Sequence, residues 1–336
     1  MDSELKDALI ARFDRLKAHE DGWQALADAG VLGLPFAEVH GGLGLSPRAG
    51  FAVLEALGPR AVALPYLECV LLAGVLLDRA GGAAAAHWLP RVAAGEAKLA
   101  LAWIDDRDPA RAEADVTGWR LSGGKLLAIG AAEADATIVT AMTSEGAAAF
   151  LLPREVLAMR AYPTIDGRRA ADLLLDDVTV AHDARLPAAA DDIADILDIG
   201  AAAITAEAGA IMARLVTDTR DYCVQREQFD QRIADFQAVQ HRLVDMHIEA
   251  RRAAAAAALA ADALDLDTRD RIRAISAAKV TIADAGRFVG QNAVQLHGGM
   301  GMTEELPVSA LFKRLTAIES EFGTRDEHLA RYMALP

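Results

Sequence analysis

Residues 226–240 read REQFDQRIADFQAVQ and connect two long segments that have the periodicity of α-helices. Two interpretations fit this pattern equally well. In the first, Arg226 complements the dipole at the end of a helix, and Phe229 and Ile233 fill the following turn. In the second, the planar guanidinium of Arg226 binds a phosphate, and the amide of Gln237 reaches the same loop. The segment alone leaves both interpretations open.

The regions on both sides of this segment predict a bundle of helices. Apolar residues recur every three or four positions from Phe236 onward, which gives one apolar stripe. Long helices separated by short breaks indicate an antiparallel bundle, and the alanine run at 253–258 suits close helix–helix approach. The predicted helices cover residues 193–225, 236–264, 269–294, 307–317 and 327–333.

The chain before this bundle divides into two further regions. Up to residue 97 the pattern is mainly helical, with a turn-rich stretch from Leu34 to Gly44. After it, short apolar runs separated by Gly, Asp and Pro predict about six strands, and Leu121–Lys125 is interpreted as a hairpin turn. We therefore expect an α+β, mainly α protein. Its expected parts are an N-terminal helical domain at 1–97, a small middle β domain at 98–186 and a C-terminal antiparallel four-helix bundle at 187–336.

The composition excludes several classes of function. The 336 residues include 34 basic and 49 acidic side chains, and the net charge of −15 argues against general binding to nucleic acid or to anionic membranes. Cys69 and Cys223 lie in apolar or helical patterns without the spacing of a metal site, so we expect buried free thiols in a reducing compartment. No apolar run reaches the roughly 20 residues of a membrane helix, and the charged N-terminus is unlike a signal peptide. The expected location is the cytoplasm.

A second segment, QLHGGMGMT from Gln295 to Thr303, has three glycines that let the backbone approach a neighbouring group closely. It lacks the preceding strand and the spacing of a dinucleotide-binding fingerprint. Taken alone, the pattern favours a helix C-cap followed by a tight turn. We expect His297 to be a packing or hydrogen-bonding residue and not a catalytic base.

Together, the two segments resemble signatures of the acyl-CoA dehydrogenase family. Residues 226–240 resemble R-x-x-F-G-x-x-I-x-x-F-Q-x-x-Q, with Asp230 where glycine is usual, and residues 295–301 are similar to Q-x-x-G-G-x-G. The resemblance implies FAD bound across a subunit interface, with the second segment at the ADP half of the partner's cofactor. The FAD-contacting residues that it implies are Arg226, Phe229, Gln237, Gln295, Gly298, Gly299 and Thr324.

The resemblance extends over most of the chain. Trp23–Gly33, Gly41–Gly44 and Glu55–Gly58 are similar to N-terminal elements of the family, while Ile165–Arg168 and Leu174–Val178 are similar to elements of its β domain. It implies α,β-dehydrogenation of an acyl-CoA thioester, in which a carboxylate removes the α-proton and the flavin accepts a hydride. It also implies an electron-transferring flavoprotein as the electron acceptor.

The catalytic base of the family has no direct counterpart in this sequence. The family places it at the glutamate of Y-E-G-T, where this chain has Phe322 within E-F-G-T, or early in the first bundle helix, near Gly200. Neither residue carries a carboxylate. Glu321, one residue from the first position, is the candidate base, and its alternative is a solvated or salt-bridged side chain. Glu207 and Glu319 are further carboxylates nearby in the sequence.

The flavin contacts expected from the β domain are also altered. The family's T-E-x-x-x-G-S-D loop corresponds to Trp103–Pro109, which lacks the glycine and the serine, and its W-I-T-like element is replaced by Ala128–Gly130. We therefore expect the catalytically incomplete subunit of a hetero-oligomeric acyl-CoA dehydrogenase, with a homologous partner that supplies the base. Short subunits of this kind resemble those that act on bulky, steroid-side-chain or cholate-like CoA thioesters. Two alternatives remain open: a self-sufficient homo-oligomer with Glu321 as a displaced base, and a non-enzymatic scaffold.

Overall fold

The computed structural model describes residues 2–14, 21–188, 190–303 and 305–335. The chain forms two compact units. One comprises Met1–Ala11, Phe51–Val62 and Gly200–Pro336, and the other comprises Arg12–Gly50 and Ala63–Ile199. The mainly helical α+β class is confirmed, because a sheet lies in the middle of the sequence with helices before and after it. The three domains and their boundaries stay a prediction.

The helices follow the predicted pattern closely. The five helices predicted from residue 193 onward all form, with ends within three residues of the predicted ones. In chain order the helices are α1 (Asp2–Phe13), α2 (Gly22–Asp28), α3 (Phe51–Leu57), α4 (Val75–Ala80), α5 (Gly82–Ala93), α6 (Ala190–Gln225), α7 (Gln237–Asp262), α8 (Thr268–His297), α9 (Pro307–Ile318) and α10 (Arg325–Met333). A π-helix, Leu67–Gly74, leads into α4.

The bundle in the C-terminal unit has a core of small and branched apolar side chains. Buried Ala250 and Ala253 on α7 allow neighbouring helices to approach closely, as the alanine run predicted. Asp267 caps α8, because its carboxylate accepts a hydrogen bond from the N–H of Asp270 at 3.0 Å. The core also contains Ile204, Ala208, Ile211, Met212, Leu215, Met246, Ile282, Ala285, Val289, Ala293, Val308, Leu311, Leu315 and Ile318.

Helix α6 is long and apolar enough to cross a membrane, so the expectation that the chain has no such run was wrong. Asp198 and Glu207 interrupt the apolar run in sequence, and both side chains are buried. In the most apolar 18-residue window, 83% of the residues are buried inside the protein. Such burial is typical of a core helix, so the composition of α6 is weak evidence for a membrane span. The cytoplasmic location stays a prediction.

The other unit is built around a seven-stranded sheet. Its strands are β1 (Leu99–Ala102), β2 (Arg111–Ala114), β3 (Trp119–Ile129), β4 (Ala136–Thr143), β5 (Gly146–Pro153), β6 (Ala158–Pro163) and β7 (Arg169–Val180). Strand β4 pairs in parallel with β1, meets β2 at Met142 and pairs antiparallel with β5. Strands β2, β3, β7 and β6 then follow in antiparallel order. Leu121, Val139 and Phe150 are fully buried in its apolar core.

The hairpin predicted at Leu121–Lys125 is wrong. These residues lie inside β3, where the register against β7 shifts between Leu121 and Gly123. Gly123 has a φ of 106°, and a Cβ there would lie 2.7 Å from the carbonyl oxygen of Pro109. The two adjacent glycines therefore mark a β-bulge and a close backbone approach instead of a chain reversal.

The family-like elements of this unit have structural roles. The backbone turns tightly at Gly41–Gly44, and a Cβ on Gly42 would lie 2.1 Å from the carbonyl oxygen of Phe36. In the D-G-x-R element, Arg168 donates a hydrogen bond to the buried carboxylate of Glu68 at 2.8 Å. At Gly42 only a residue without a side chain fits, and the buried carboxylate of Glu68 needs a partner of opposite charge such as Arg168. Both elements therefore have a role in the packing of this unit.

Both thiols are buried and free, as the sequence predicted. Cys69, on the π-helix, accepts a hydrogen bond from the N–H of Leu99 at 3.1 Å. Burial raises the pKa of the Cys69 thiol to about 12. Burial likewise raises the pKa of Cys223, on α6, above its ordinary value.

Candidate functional site

Arg226 directly follows α6 and leads into a short hairpin of β8 (Glu227–Gln228) and β9 (Gln231–Arg232). The N–H of Ile233 donates a hydrogen bond to the carbonyl oxygen of Arg226 at 2.9 Å, which closes the loop. Phe229 and Asp230 form the tip with φ angles of 56° and 62°. Two consecutive positive φ angles indicate a type I′ turn, which Asn-Gly fits best. Aspartate tolerates this conformation well, whereas a bulky phenylalanine is strained in it.

The side chains predicted to contact FAD on this hairpin are exposed. Phe229 is 87% exposed, and its ring meets Phe236 edge-on with the centroids 6.2 Å apart. Arg226 and Gln237 are also exposed, and neither side chain forms a hydrogen bond or an ion pair with another residue that the structure describes. The turn-filling interpretation does not match these contacts, because Phe229 packs so little of its surface. Arg226 and Gln237 are accessible to a ligand, and the anion-site interpretation stays a prediction.

The N-terminus of α7 adds a feature that suits a phosphate. This 26-residue helix begins at Gln237, and its N-cap, Phe236, provides no side-chain cap. The first N–H groups of a helix carry partial positive charge and bind anions. An exposed guanidinium, an exposed amide and an uncapped helix start therefore occur within twelve consecutive residues, from Arg226 to Gln237. Their chemistry fits the pyrophosphate of a dinucleotide such as FAD.

The second predicted segment forms the C-terminal end of α8 and a 3₁₀ turn, Gly298–Met302. Gly298 has a φ of 60°, and a Cβ on Gly301 would lie 2.8 Å from the carbonyl oxygen of Val294, so both positions require glycine. Gly299 and the side chain of Gln295 are exposed, and a Cβ on Gly299 would meet nothing within 4 Å. The C-cap predicted from the pattern is present, and it leaves open space for a ligand at Gly299.

Tyr222 and His297 join the ends of α6 and α8. Their rings are stacked with centroids 4.3 Å apart and planes at 27°. His297 is buried, and its Nδ1 donates a hydrogen bond to the carbonyl oxygen of Ala293 at 2.8 Å. The expected packing and hydrogen-bonding role of His297 is confirmed. The two segments singled out in the sequence therefore leave the bundle from neighbouring helix ends.

Glu321, the candidate base, is bound by a buried arginine. The guanidinium of Arg314 donates hydrogen bonds to Glu321 at 2.6 and 3.2 Å and to Glu207 at 2.8 and 2.7 Å. Burial lowers the pKa of Arg314, but the two carboxylates outweigh this effect and raise it well above its ordinary value. A Cβ on Gly58, in the E-x-x-G element, would lie 2.7 Å from Cγ of Glu207, so that glycine makes room for the cluster. Glu321 is therefore salt-bridged, which was the alternative to its role as a base.

Two further side chains, those of Lys279 and His328, hold the turn from Glu319 to Thr324. Lys279 donates hydrogen bonds to the carbonyl oxygens of Ile318 and Glu321, at 2.8 and 2.6 Å. Nε2 of His328 lies 2.9 Å from the carbonyl oxygen of Phe322, which occupies the family's base position and has a φ of 57°. Burial lowers the pKa of Lys279 to about 8.

Thr324 is separated from the other residues predicted to contact FAD. It caps α10 in a reciprocal capping box with Glu327. The turn that contains it packs on α8 at Lys279, eighteen residues before His297, which corresponds to roughly 27 Å along a helix. The structure therefore brings the ends of α6 and α8 together and places Thr324 and Glu321 beside the middle of α8, where Lys279 binds the Glu321 carbonyl and Asp284 binds Arg325.

A buried lysine, Lys125, was not singled out in the sequence. Its ammonium donates hydrogen bonds to Asp105 at 2.6 Å, to Thr140 at 2.9 Å and to the carbonyl oxygen of Trp103 at 3.4 Å. Burial lowers the pKa of Lys125. These bonds fix the Trp103–Pro109 loop, where the family's flavin-binding residues are absent. The only sequence signal was a lone lysine in an apolar strand.

Comparison with known proteins identifies the family. Residues 2–96 match the description acyl-CoA dehydrogenase, N-terminal domain, and residues 191–333 match acyl-CoA dehydrogenase, C-terminal domain. Acyl-CoA dehydrogenase FadE27 of Mycobacterium tuberculosis is 32% identical, over 94% of this chain and 86% of that protein. The chain belongs to the acyl-CoA dehydrogenase family. The oxidoreductase class expected from the sequence is thereby confirmed.

Solved structures share the fold of this acyl-CoA dehydrogenase over nearly its whole length. The ChsE4–ChsE5 complex from Mycobacterium tuberculosis has a TM-score of 0.91 and 28% identity, covering 98% of this chain and 95% of that chain. A Tcur3481–Tcur3483 steroid ACAD has a TM-score of 0.86 and 27% identity, covering 99% and 97%. A glutaryl-CoA dehydrogenase from Mycobacterium smegmatis in complex with FADH2, 22% identical, and an FAD-dependent dehydrogenase, 23% identical, also share the fold.

Proposed function

We propose that this chain is the catalytically incomplete subunit of a hetero-oligomeric, FAD-dependent acyl-CoA dehydrogenase. The observation that carries the proposal is a contrast within the bundle. The residues suited to FAD at the ends of α6 and α8 are exposed, whereas both carboxylates near the family's base positions are bound to Arg314. Among the described residues, the chain thus offers one side of a cofactor site and no unpaired carboxylate at Glu207 or Glu321.

The exposed side chains would hold FAD in the following way. Arg226 and the first turn of α7 would bind the pyrophosphate, with Gln237 donating from its amide. Phe229 would cover an apolar part of the cofactor, and Gln295, Gly298 and Gly299 would contact the ADP half. FAD would supply the hydride-accepting chemistry of the reaction. We propose these residues as the contribution of this chain to a site shared with its partner.

The missing base explains why a partner is needed. Removal of the α-proton requires a carboxylate that is free to accept it. Glu321 and Glu207 share the buried guanidinium of Arg314, and separating either from it would leave a charge unpaired in the protein interior. The family's two base positions themselves fall on Phe322 and on or near Gly200. We propose that the homologous partner subunit supplies the base.

The relatives guide the proposed substrate and partner. One structure with this fold is described as a complex of ChsE4 with ChsE5, and another as a steroid ACAD. We therefore propose a bulky, steroid-side-chain or cholate-like acyl-CoA thioester as the substrate, and an electron-transferring flavoprotein as the electron acceptor.

Purification with and without a partner tests this proposal. The chain expressed alone should be colourless or insoluble, and a co-purifying homologous subunit should restore a yellow protein that is bleached by an acyl-CoA. In that complex, Arg226→Ala should lower the flavin content severalfold. Arg232→Ala is a matched control, because Arg232 is another exposed arginine on the same hairpin.

Three results would overturn the proposal. A yellow homo-oligomer that an acyl-CoA reduces would favour a self-sufficient enzyme. Loss of turnover in Glu321→Gln, with unchanged stability, would make Glu321 the base of such an enzyme. Unchanged flavin content and activity in Arg226→Ala would favour a scaffold that takes no part in cofactor binding.

A further inference from the structure

The two segments proposed to bind FAD are held together by a ring contact between Tyr222, which precedes the first segment, and His297, which lies in the second. Tyr222 lies on the last turn of α6, and the N–H of Arg226 donates a hydrogen bond to its carbonyl oxygen at 2.9 Å. His297 is the last residue of α8 and directly precedes Gly298. The Tyr222 ring stacks on the His297 ring at 4.3 Å. One contact therefore connects the residue one turn before Arg226 with the residue beside the glycine turn.

The orientation of this contact is well defined. His297 is 4% exposed, and its bond from Nδ1 to the carbonyl oxygen of Ala293 fixes the plane of its ring. The hydroxyl of Tyr222 lies 3.4 Å from the carbonyl oxygen of His297, which is long for such a bond. The stacked ring faces therefore dominate the contact, and pairs of this kind contribute about 0.5–1.5 kcal/mol.

We infer that Tyr222 and His297 are positioning residues for FAD, which set the spacing between Arg226 and the glycine turn at Gly298–Gly301. The inference rests on the proposed function, because it concerns the same cofactor. Neither residue needs to touch FAD. Two segments can bind one ligand at the same time, and so raise the affinity for it, only while the distance between them matches the ligand. The stacked rings of Tyr222 and His297 hold the ends of α6 and α8 at that distance.

The inference makes a specific prediction about coupling between residues. Tyr222→Leu should raise the Kd for FAD about tenfold, which corresponds to the loss of about one aromatic contact. Tyr222→Phe should leave it nearly unchanged, since the ring face remains. Arg226→Gln should weaken FAD binding strongly in the wild-type background and several times less in the Tyr222→Leu background. Arg226 can contribute fully only while it is held at the right distance from the turn.

The measurement is a titration of FAD into the flavin-free assembly, followed by flavin fluorescence. The assembly is this chain alone if it purifies yellow, and the complex with its co-purifying partner otherwise. His297→Leu removes the same contact from the other side, and it carries the same test if Tyr222→Leu does not fold. Tyr332→Leu, at a half-exposed tyrosine on α10, is the matched control and should bind FAD like the wild type.

The outcomes separate this inference from the proposed function. A wild-type assembly that binds no FAD overturns both. Wild-type binding, together with fully additive effects of Tyr222→Leu and Arg226→Gln, overturns the positioning role and leaves the proposed function intact. A purely structural role would lower the melting temperature and leave the Arg226 effect additive, whereas positioning makes the effects of the two substitutions interdependent.

Discussion

Arg314 donates hydrogen bonds to both carboxylate oxygens of Glu321, and the pair lies largely inside the bundle. Glu207 binds the same guanidinium, although 107 residues separate it from Arg314 in the sequence. One cation therefore holds two carboxylates, and Lys279 adds a second positive charge beside them. The cluster fixes the turn where the family's base belongs while leaving no free carboxylate there.

Removing the shared cation should destabilise the protein strongly. Arg314→Met leaves Glu207 and Glu321 without their buried partner, and we expect the free energy of unfolding to fall by about 3–5 kcal/mol. Urea denaturation at neutral pH measures the change. Arg287→Met is the control, because Arg287 forms an exposed ion pair with Glu319, and exposed pairs contribute little to stability. Equal losses in the two variants would contradict a buried, interdependent cluster.

The strained hairpin tip predicts opposite effects on stability and on cofactor binding. Phe229→Asn places a residue suited to positive φ at the first tip position, so stability should rise by about 1 kcal/mol. The same change removes the exposed ring, so flavin retention should fall. Thermal unfolding and flavin absorbance measure the two effects on one sample. Asp230→Gly relaxes the same turn without removing the ring and should leave flavin retention unchanged; a loss in that variant would argue against Phe229 as the contact.

The depressed pKa of Lys279 predicts an unusual dependence of stability on pH. Its pKa falls from 10.5 in the unfolded chain to about 8 in the fold, so between these values the unfolded state binds more protons. The free energy of unfolding should therefore rise with pH across that window, by up to about 3 kcal/mol from this residue. Urea denaturation at several pH values, for the wild type and Lys279→Met, isolates the effect. Parallel profiles would show that Lys279 titrates normally.

The tight turn at Gly41–Gly44 predicts that a single added methyl group at Gly42 strongly lowers the stability of the protein. A Cβ on Gly42 would lie 2.1 Å from the carbonyl oxygen of Phe36 and 2.6 Å from that of Gly33. Both obstacles are backbone atoms, so Gly42→Ala should cost about 3 kcal/mol or more. Gly209→Ala, inside α6, should instead be neutral or stabilising, because its Cβ would meet Ala254 at an ordinary 3.6 Å. The melting temperature should fall markedly in Gly42→Ala and should stay the same or rise in Gly209→Ala.

The regular apolar periodicity made the helical bundle predictable from the sequence, whereas two strands without apolar runs were not predicted. The apolar stripe of α7 defined the helix to within two residues at each end. Strands β2 and β6 carry mostly exposed side chains, so they lack the apolar runs by which the other strands were recognised. The glycines of β3 indicate a turn when only local sequence is considered. Their role depends on Pro109, which lies fourteen residues before Gly123 and outside strand β3.

The candidate site was predictable only in part, for a similar reason. The segments at Arg226 and Gly298 are local patterns, and the family resemblance identified them directly. Glu207 lies 107 positions from Arg314 and Asp105 lies 20 positions from Lys125, so no local pattern reveals that these cations are buried and paired. The ring contact between Tyr222 and His297 likewise joins residues 75 positions apart.

The two buried cysteines give this protein an internal reporter of local opening. Cys69 belongs to the compact unit that contains the sheet, and Cys223 belongs to the unit that contains the bundle. Each thiol is unreactive while its own surroundings remain closed, since only an exposed thiolate attacks an alkylating reagent. Labelling each cysteine separately over time, in the presence and absence of FAD, would therefore show which half of the molecule the cofactor protects.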